Sequence, residues 1–585
     1  MQVLNTPVLI LICAGVGMFA LISVLGTLSG RYSLGSIRSK RTGDGQHGTA
    51  RFANGRDLKT MYARIPFTPD LWRRDPSSRP VEKGILVGAE FTRKGVSALV
   101  DTGDVHALMI GAAGVGKTAY WLYPNLEYAC ASGVSFVTTD TKGDLARNYA
   151  RIAERDYGYR VHILDLRNPD CSDGFNFLEP VNRYADRFED TGDLADLGRA
   201  EKYAKIVART IILTGSGDSM VYGQNAFFYD AAEGLLTAAI LMVSRFGGAG
   251  ERHILSVYKL VQELLEPSDR KDMNRFQELI GYLPGDSKIR WFAGSALTAS
   301  DQTMSSVIST ALSRMNRFLD SELEPILCAQ GSVDTERFCA EKTALFLIMP
   351  EEDNTRYFMI SLLLQELYRE MLALSDEHGG RLPSRVLFYL DEFGTLPRID
   401  SAEMMFSASR SRGMSFVPVI QSFAQLEKQY GKEGAEIIVD NIQLTLFGGF
   451  APNSGSAARL SGSLGNATVQ SGTVTRNGKE GSMSLSMLER PLLTPDELKQ
   501  MPKGTFIVEK TGKPPLRMRL RLYTEWGIRL EPAPIPPKTA LRARYVDYRE
   551  LKARLKERYN RLFPTPAHIP EYKHGERKGQ SGNEI

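Results

Sequence analysis

Apolar positions along this chain change texture several times, and each texture predicts a different kind of element. From Pro7 to Gly30 no residue is charged and Val, Leu, Ile, Ala and Phe dominate. That run is long enough for one membrane-spanning helix of about 20 residues. Short strand-like blocks come later: His106–Ile110, Val134–Asp140, Tyr159–Asp165, Lys342–Met349, Val386–Leu390 and Ser415–Ile420. Blocks of that length predict strands, those at Val134–Asp140 and Val386–Leu390 buried ones. Leu145–Glu154 and Arg356–Leu374 carry helical spacing between them. Strand, helix, strand at this spacing predicts a parallel α/β sheet. The texture between Pro180 and about Asp334 is helical instead, with Ala200–Leu213, Gln224–Phe246, Ile254–Leu265, Met273–Leu283 and Met304–Leu319 the clearest runs. An all-α insertion of about 150 residues is the expectation. Thr468–Thr475 and Ser482–Leu488 flank Arg476-Asn477-Gly478-Lys479, where Asn-Gly suits a tight hairpin turn.

Charge decides how the ends are read. Met1–Thr6 has no Lys or Arg, whereas Arg31, Arg38, Lys40 and Arg41 follow the apolar run. A cleaved signal peptide needs basic residues before its apolar core, so a retained anchor is expected, with the chain that follows in the cytoplasm. At the other end Leu541–Lys578 holds eleven Lys/Arg against five Asp/Glu, with Tyr545, Tyr548, Leu551, Leu555, Tyr559 and Leu562 at helical spacing. That predicts one basic amphipathic helix and then a tail; the helix is expected to pack on the chain's own α/β domain, with docking of a substrate or DNA as the alternative. With 585 residues, 43% of them apolar, the chain can hold about two to four domains. A formal charge of +4 does not by itself imply nucleic acid. Five cysteines with no C-x-x-C pair fit a reducing compartment and argue against structural zinc. Lys271, Lys288, Arg290, Arg314 and Arg317 in the helical stretch could face nucleic acid, but a solvated helix surface is the simpler expectation.

The chemistry centres on Gly111-Ala112-Ala113-Gly114-Val115-Gly116-Lys117-Thr118, which fits G-x-x-x-x-G-K-[ST] directly after a strand. Backbone N–H groups of such a turn and the positive helix N-terminus cradle phosphate. Lys117 is expected to reach the β- and γ-phosphates of a nucleotide, and Thr118 to take one place on Mg²⁺. Val386–Leu390 ends in Asp391-Glu392, a Walker B pattern. Asp391 is expected to serve Mg²⁺ and Glu392 to orient or deprotonate the attacking water, although such a pair can also cap a helix. Further on, Arg410 or Arg412 could stabilise transition-state charge in a neighbouring subunit. Gln421, at a strand end, could report the γ-phosphate or simply cap the strand.

Together Gly111–Thr118, Asp140-Thr-Lys-Gly-Asp144, Leu390-Asp-Glu-Phe-Gly394, Ser409-Arg-Ser-Arg-Gly413 and Gln421-Ser-Phe-Ala-Gln425 with Tyr430-Gly431 resemble the type IV coupling proteins. These are the TraG-like ATPases of conjugation and type IV secretion. His47-Gly-Thr-Ala-Arg51, Pro124 and Arg490-Pro-Leu-Leu-Thr-Pro-Asp-Glu-Leu498 are similar to that family too. The resemblance implies a homohexamer of RecA-like P-loop NTPase domains with an inserted all-α domain. It also implies an N-terminal transmembrane helix in the bacterial inner membrane. It implies ATP and Mg²⁺ as cofactors and, as partners, single-stranded DNA with its relaxase, inner-membrane components of a secretion channel, and the lipid bilayer. It places Arg410 where the family has a trans-acting arginine and Gln421 where it has a γ-phosphate sensor. Many members have two spanning helices at the N-terminus; this sequence shows one.

The expected organisation is therefore an anchor and linker over 1–45 and a nucleotide-binding domain split into 46–179 and 336–535. The all-α domain occupies 180–335, and a basic helix and tail 536–585. The expected activity is ATP-driven transfer of relaxase-bound DNA. Two alternatives stand beside it: a docking receptor for protein substrates with nucleotide as an assembly switch, and an FtsK-like double-stranded DNA translocase.

Overall fold

The apolar blocks meet side by side because each can cover both of its faces only inside a sheet flanked by helices. The computed structural model describes residues 17–18, 40–41, 45–213, 226–270, 273–329, 333–399, 401–477, 480–538 and 543–560. Chain contacts divide it into two units. The first is Met1–Val161, Glu336–Leu345 and Tyr368–Ala533; the second is His162–Thr335, Phe346–Leu367 and Pro534–Ile585. The expected anchor over Pro7–Gly30 lies outside the described residues except for Gly17 and Met18.

A nine-stranded sheet organises the first unit, and the division falls within the strands at its far edge. In chain order the strands are β1 (Ala107–Ile110), β2 (Ser135–Asp140), β3 (Arg160–Asp165), β4 (Thr343–Ile348) and β5 (Val386–Leu390). The rest are β6 (Met414–Ile420), β7 (Leu444–Phe447), β8 (Thr505–Lys510) and β9 (Leu516–Arg519). Their spatial order is β9-β8-β7-β1-β6-β5-β2-β4-β3. From β7 through β1, β6 and β5 to β2 the pairing is parallel, so the carboxyl ends of these strands share one edge. Strands β8 and β9 extend the sheet antiparallel beyond β7. Ala107, Leu108 and Met109 of β1 and all of β5 have no exposed surface.

A smaller antiparallel sheet holds Gly95–Asp101 between Ala63–Phe67 and Ile85–Thr92. The expected hairpin is longer than its sequence signal, pairing Asn466–Asn477 with Glu480–Pro491. Lys40–Arg41 adds a third strand to it, with Lys40 opposite Gln470 and Arg41 opposite Val469. Gly478 and Lys479 of the expected turn lie outside the described residues.

At the opposite end of β1 from the glycine-rich turn, His106 is fully buried. Its Nδ1 accepts the Phe416 N–H at 3.0 Å, and its ring meets Phe406 edge-on at 5.4 Å. Burial pushes its pKa down to about 4, and the charges of Arg410 and Arg385 act in the same direction. The folded state thus refuses a proton that the unfolded chain binds near pH 6.5, so stability is present above that pH and is lost as pH falls toward 4. The loss at the lower end is about 3 kcal/mol. Thermal unfolding between pH 7 and 4.5 checks this. His106→Gln should flatten the decline, and an unchanged slope would remove His106 as its source.

In the second unit the helix Ala226–Phe246 forms the core, with Leu235, Leu236, Ala238 and Ile240 fully buried. Among the described residues it is the one helix long and apolar enough to cross a membrane, and most of it is covered by protein. The cations expected on this surface are largely engaged within the unit. Lys288 Nζ sits 3.7 Å above the Trp291 ring, Arg314 donates to the Tyr229 hydroxyl at 3.1 Å, and Arg317 lies over Phe358. Lys271 falls outside the described residues.

The basic C-terminal helix, Tyr548–Asn560, also belongs to this unit, which corrects the expectation that it packs on the nucleotide-binding domain. Leu551 and Leu555 are fully buried, Lys552 Nζ lies 2.8 Å from Glu278, and Arg554 pairs with Glu251 at 2.7 Å. Buried carboxylates on the α-helical unit set the helix's destination: Glu278 and Glu251 are almost fully enclosed and require cations.

Candidate functional site

The glycine-rich turn is pinned on both sides before any ligand arrives. Gly111 N–H donates to the Ile420 carbonyl at the end of β6, and Ala112 N–H to Gly449 just after β7, both at 3.1 Å. Gly114 and Gly116 adopt φ of +77° and +86°, the left-handed region that favours glycine. At Gly111 a Cβ would stand 2.9 Å from Val115 Cγ2, so bulk there would force the loop open. The chain then enters a π-wound stretch, Thr118–Leu122, before the α-helix Tyr123–Ala131. Pro124 is the second residue of the α-helical part, directly after the π-wound stretch.

Lys117 is almost fully buried, and its ammonium donates to the Gly111 carbonyl at 2.9 Å, folding back across its own loop. Ala112, Ala113 and Val115 border a cleft of about 860 Å³ whose other walls include Gln421, Phe423, Phe450 and Arg459. Arg459 stacks over the Phe423 ring at 4.0 Å.

On the same sheet edge β5 delivers Asp391 and Glu392. Burial pushes the Asp391 carboxyl up to about 7; the neighbouring Glu392 charge adds to this and Lys117 opposes it. Asp140, at the end of β2, is raised for the same first reason, burial, although the turn's N–H groups, including Lys142 at 3.2 Å and Ala146 at 3.0 Å, hold it. These crowded carboxylates have Lys117 as their near cation, so the donor set fits an added divalent ion.

Glu392 is the only non-glycine residue at positive φ among the described residues, at +52°. Its N–H bonds Asp391 Oδ1 at 3.1 Å, which holds the strained backbone in place. Its carboxylate accepts both contacts of the Gln421 amide, at 3.3 and 3.1 Å. Gln421 in turn gives its N–H to Gln425 Oε1 at 2.9 Å. The structure thus brings Lys117, Asp391, Glu392 and Gln421 to one edge, the last two in direct contact.

Arg410 is not there. It precedes β6, whose far end meets Gly111, so seven strand residues separate it from the turn. At the usual rise that is about 20 Å. Arg410 is exposed, and no side-chain partner for it is found among the described residues. Arg412, the other arginine left open by the sequence, bonds Ser375 at 3.1 Å and pairs with Asp376. Nothing in sequence spacing signals the Glu392–Gln421 contact, because the two residues are 29 positions apart and follow the ends of adjacent strands.

The family model for type IV secretory system conjugative DNA transfer matches residues 73–556. The type IV secretion system-coupling protein VirD4 of Bartonella henselae is 24% identical over 432 residues, which is 72% of this chain. This chain spans 63% of the length of that relative. The conjugal transfer protein TraG of Escherichia coli is 22% identical over 547 residues, covering 87% of this chain and 81% of TraG. Among solved structures, the plasmid coupling protein TrwB in complex with a non-hydrolysable ATP analogue, ADPNP, gives a TM-score of 0.54 at 16% identity. The match covers 85% of this chain and all of that one. Unbound TrwBΔN70 gives 0.53 at 17% identity, over 82% and 97%. The likeness in fold is to an α/β nucleotide-binding architecture accompanied by a helical domain.

Proposed function

The chain belongs to the type IV secretory system conjugative DNA transfer family, and from that premise we propose a membrane-anchored, hexameric ATPase that drives relaxase-bound single-stranded DNA through a secretion channel. The observation that carries this is the convergence of Lys117, Asp391, Glu392 and Gln421 on one sheet edge. ATP would lay its phosphates on Gly111–Thr118, the cradle formed by Gly111, Ala112, Ala113, Gly114, Val115, Gly116, Lys117 and Thr118. TrwB has been crystallised with ADP and Mg²⁺ as well as with ADPNP, which supports the same cofactors here.

Thr118 and Asp391 would hold Mg²⁺, which when bound neutralises phosphate charge. Glu392 would orient or deprotonate the attacking water. Gln421, released from Glu392, would sense the γ-phosphate. Arg410 would reach the nucleotide of a neighbouring copy, since its own lies across the sheet. Pro7–Gly30 would anchor the chain in the bacterial inner membrane, with Arg31, Arg38, Lys40 and Arg41 on the cytoplasmic side beside the channel's membrane components.

ATP turnover of the detergent-solubilised protein, with and without single-stranded DNA at low and moderate salt, tests the proposal. The expected result is a rise with DNA that shrinks as salt increases, because phosphate contacts release counterions. A rate indifferent to DNA would move the assignment to a docking receptor for protein substrates.

A further inference from the structure

The stretch Arg490–Leu498 forms a rigid step leading back to the glycine-rich turn. Arg490 pairs with Glu497 at 2.6 Å, and Thr494 caps the short helix Pro495–Lys499 in a reciprocal box with Glu497. Leu492 and Leu498 are buried, and the Ser461 hydroxyl donates to the Leu493 carbonyl at 2.7 Å. The chain leaving this step turns through Pro502-Lys503-Gly504, closed by Thr505 N–H on the Pro502 carbonyl at 3.0 Å, and becomes β8.

That turn stands against the end of the phosphate cradle. Lys503 Cε lies 3.7 Å from where a Cβ on Gly116 would be. Gly116 and Gly504, at φ +86° and +84°, face the same ring: a Cβ on the first would stand 2.6 Å from Tyr120 and on the second 3.0 Å. Tyr120 is therefore wedged between loop and turn and fixes their spacing, with no room for side chains at either glycine. Lys503 is exposed, and no carboxylate partner for it is found among the described residues. An unpaired ammonium is thus held beside backbone N–H groups that face the α- and β-phosphates of a nucleotide in such loops.

We propose that Lys503 is a second cation of the nucleotide site, binding the α- and β-phosphates of a nucleoside di- or triphosphate in its own subunit. The assignment rests on the nucleotide-binding function proposed above. Lys117 serves the other end of the triphosphate, so the two cations divide its charge between them.

Equilibrium binding of fluorescent ADP and ATP analogues to the full-length solubilised protein tests this, comparing wild type with Lys503→Ala and Lys503→Arg. Losing one charge-assisted contact should weaken ADP and ATP alike by about 10-fold. Lys503→Arg should recover most of the affinity, and nucleotide-free thermal unfolding should stay the same in all three. Unchanged affinity in Lys503→Ala overturns the proposal. So does a loss confined to ATP, or a loss that arginine does not rescue and that comes with a lower unfolding temperature. Wild-type protein that binds neither analogue would instead refute the nucleotide function itself.

Discussion

Glu392→Gln is expected to keep nucleotide bound while turnover falls by about 10²–10⁴, the range a positioned general base contributes. Glutamine matches the size of glutamate and can keep one hydrogen bond to the Gln421 amide that now spans both carboxylate oxygens. The backbone is unaffected in kind: Asp391 Oδ1 still takes the N–H of residue 392, and the left-handed conformation carries the same strain with either side chain. What disappears is the group that can accept a proton from water. Steady-state turnover measured beside fluorescent-nucleotide binding separates the two effects. A Glu392→Gln protein that turns over like wild type would place the base elsewhere on the sheet edge.

Arg410→Ala should be as severe, about 10³–10⁵ in rate, the range known for arginines that act across a subunit boundary. The geometry permits no contribution in cis. Arg410 sits before β6 and the phosphate loop meets that strand's other end, so no rotamer closes the gap. Arg412→Ala is the control, since that side chain is committed to Ser375 and Asp376; its loss removes a half-exposed ion pair of about 0–1 kcal/mol. Doping wild type with Arg410→Ala distinguishes a shared site from a private one. If each copy completes its neighbour's site, inactive arginines poison sites that still hold a functional Lys117. Arg410→Ala turning over within a few-fold of wild type would remove it from the chemistry.

Much of the sheet was legible because β1 and β5 are solid apolar runs and β6 is nearly so, as strands buried on both faces tend to be. Strands β7 and β9 are four residues each, and β9 alternates with arginines, so neither stood out from loop sequence. Glycine and lysine spacing identified the phosphate loop without help from tertiary structure. The distinction between Arg410 and Arg412 was not legible, because it depends on Ser375 and Asp376, brought near by folding alone. The destination of the C-terminal helix was missed for a related reason. Its amphipathic face is generic, and what selects its neighbour is the pair of buried acids, Glu251 and Glu278, far earlier in the chain. The left-handed backbone of Glu392 leaves no trace in composition at all.

The two hydrogen bonds that tie Gly111 and Ala112 to the ends of β6 and β7 bear on how a ligand is received. Freezing a backbone residue costs about 1–2 kcal/mol of conformational entropy, and here that cost is met during folding, so it is not charged to the affinity of an incoming phosphate. Arrival should accordingly leave amide hydrogen exchange at the loop's anchored positions little changed. The group that must rearrange is the Lys117 ammonium, which has to leave the Gly111 carbonyl before it can meet an anion. Occupancy is thus reported by one side chain letting go of its own loop.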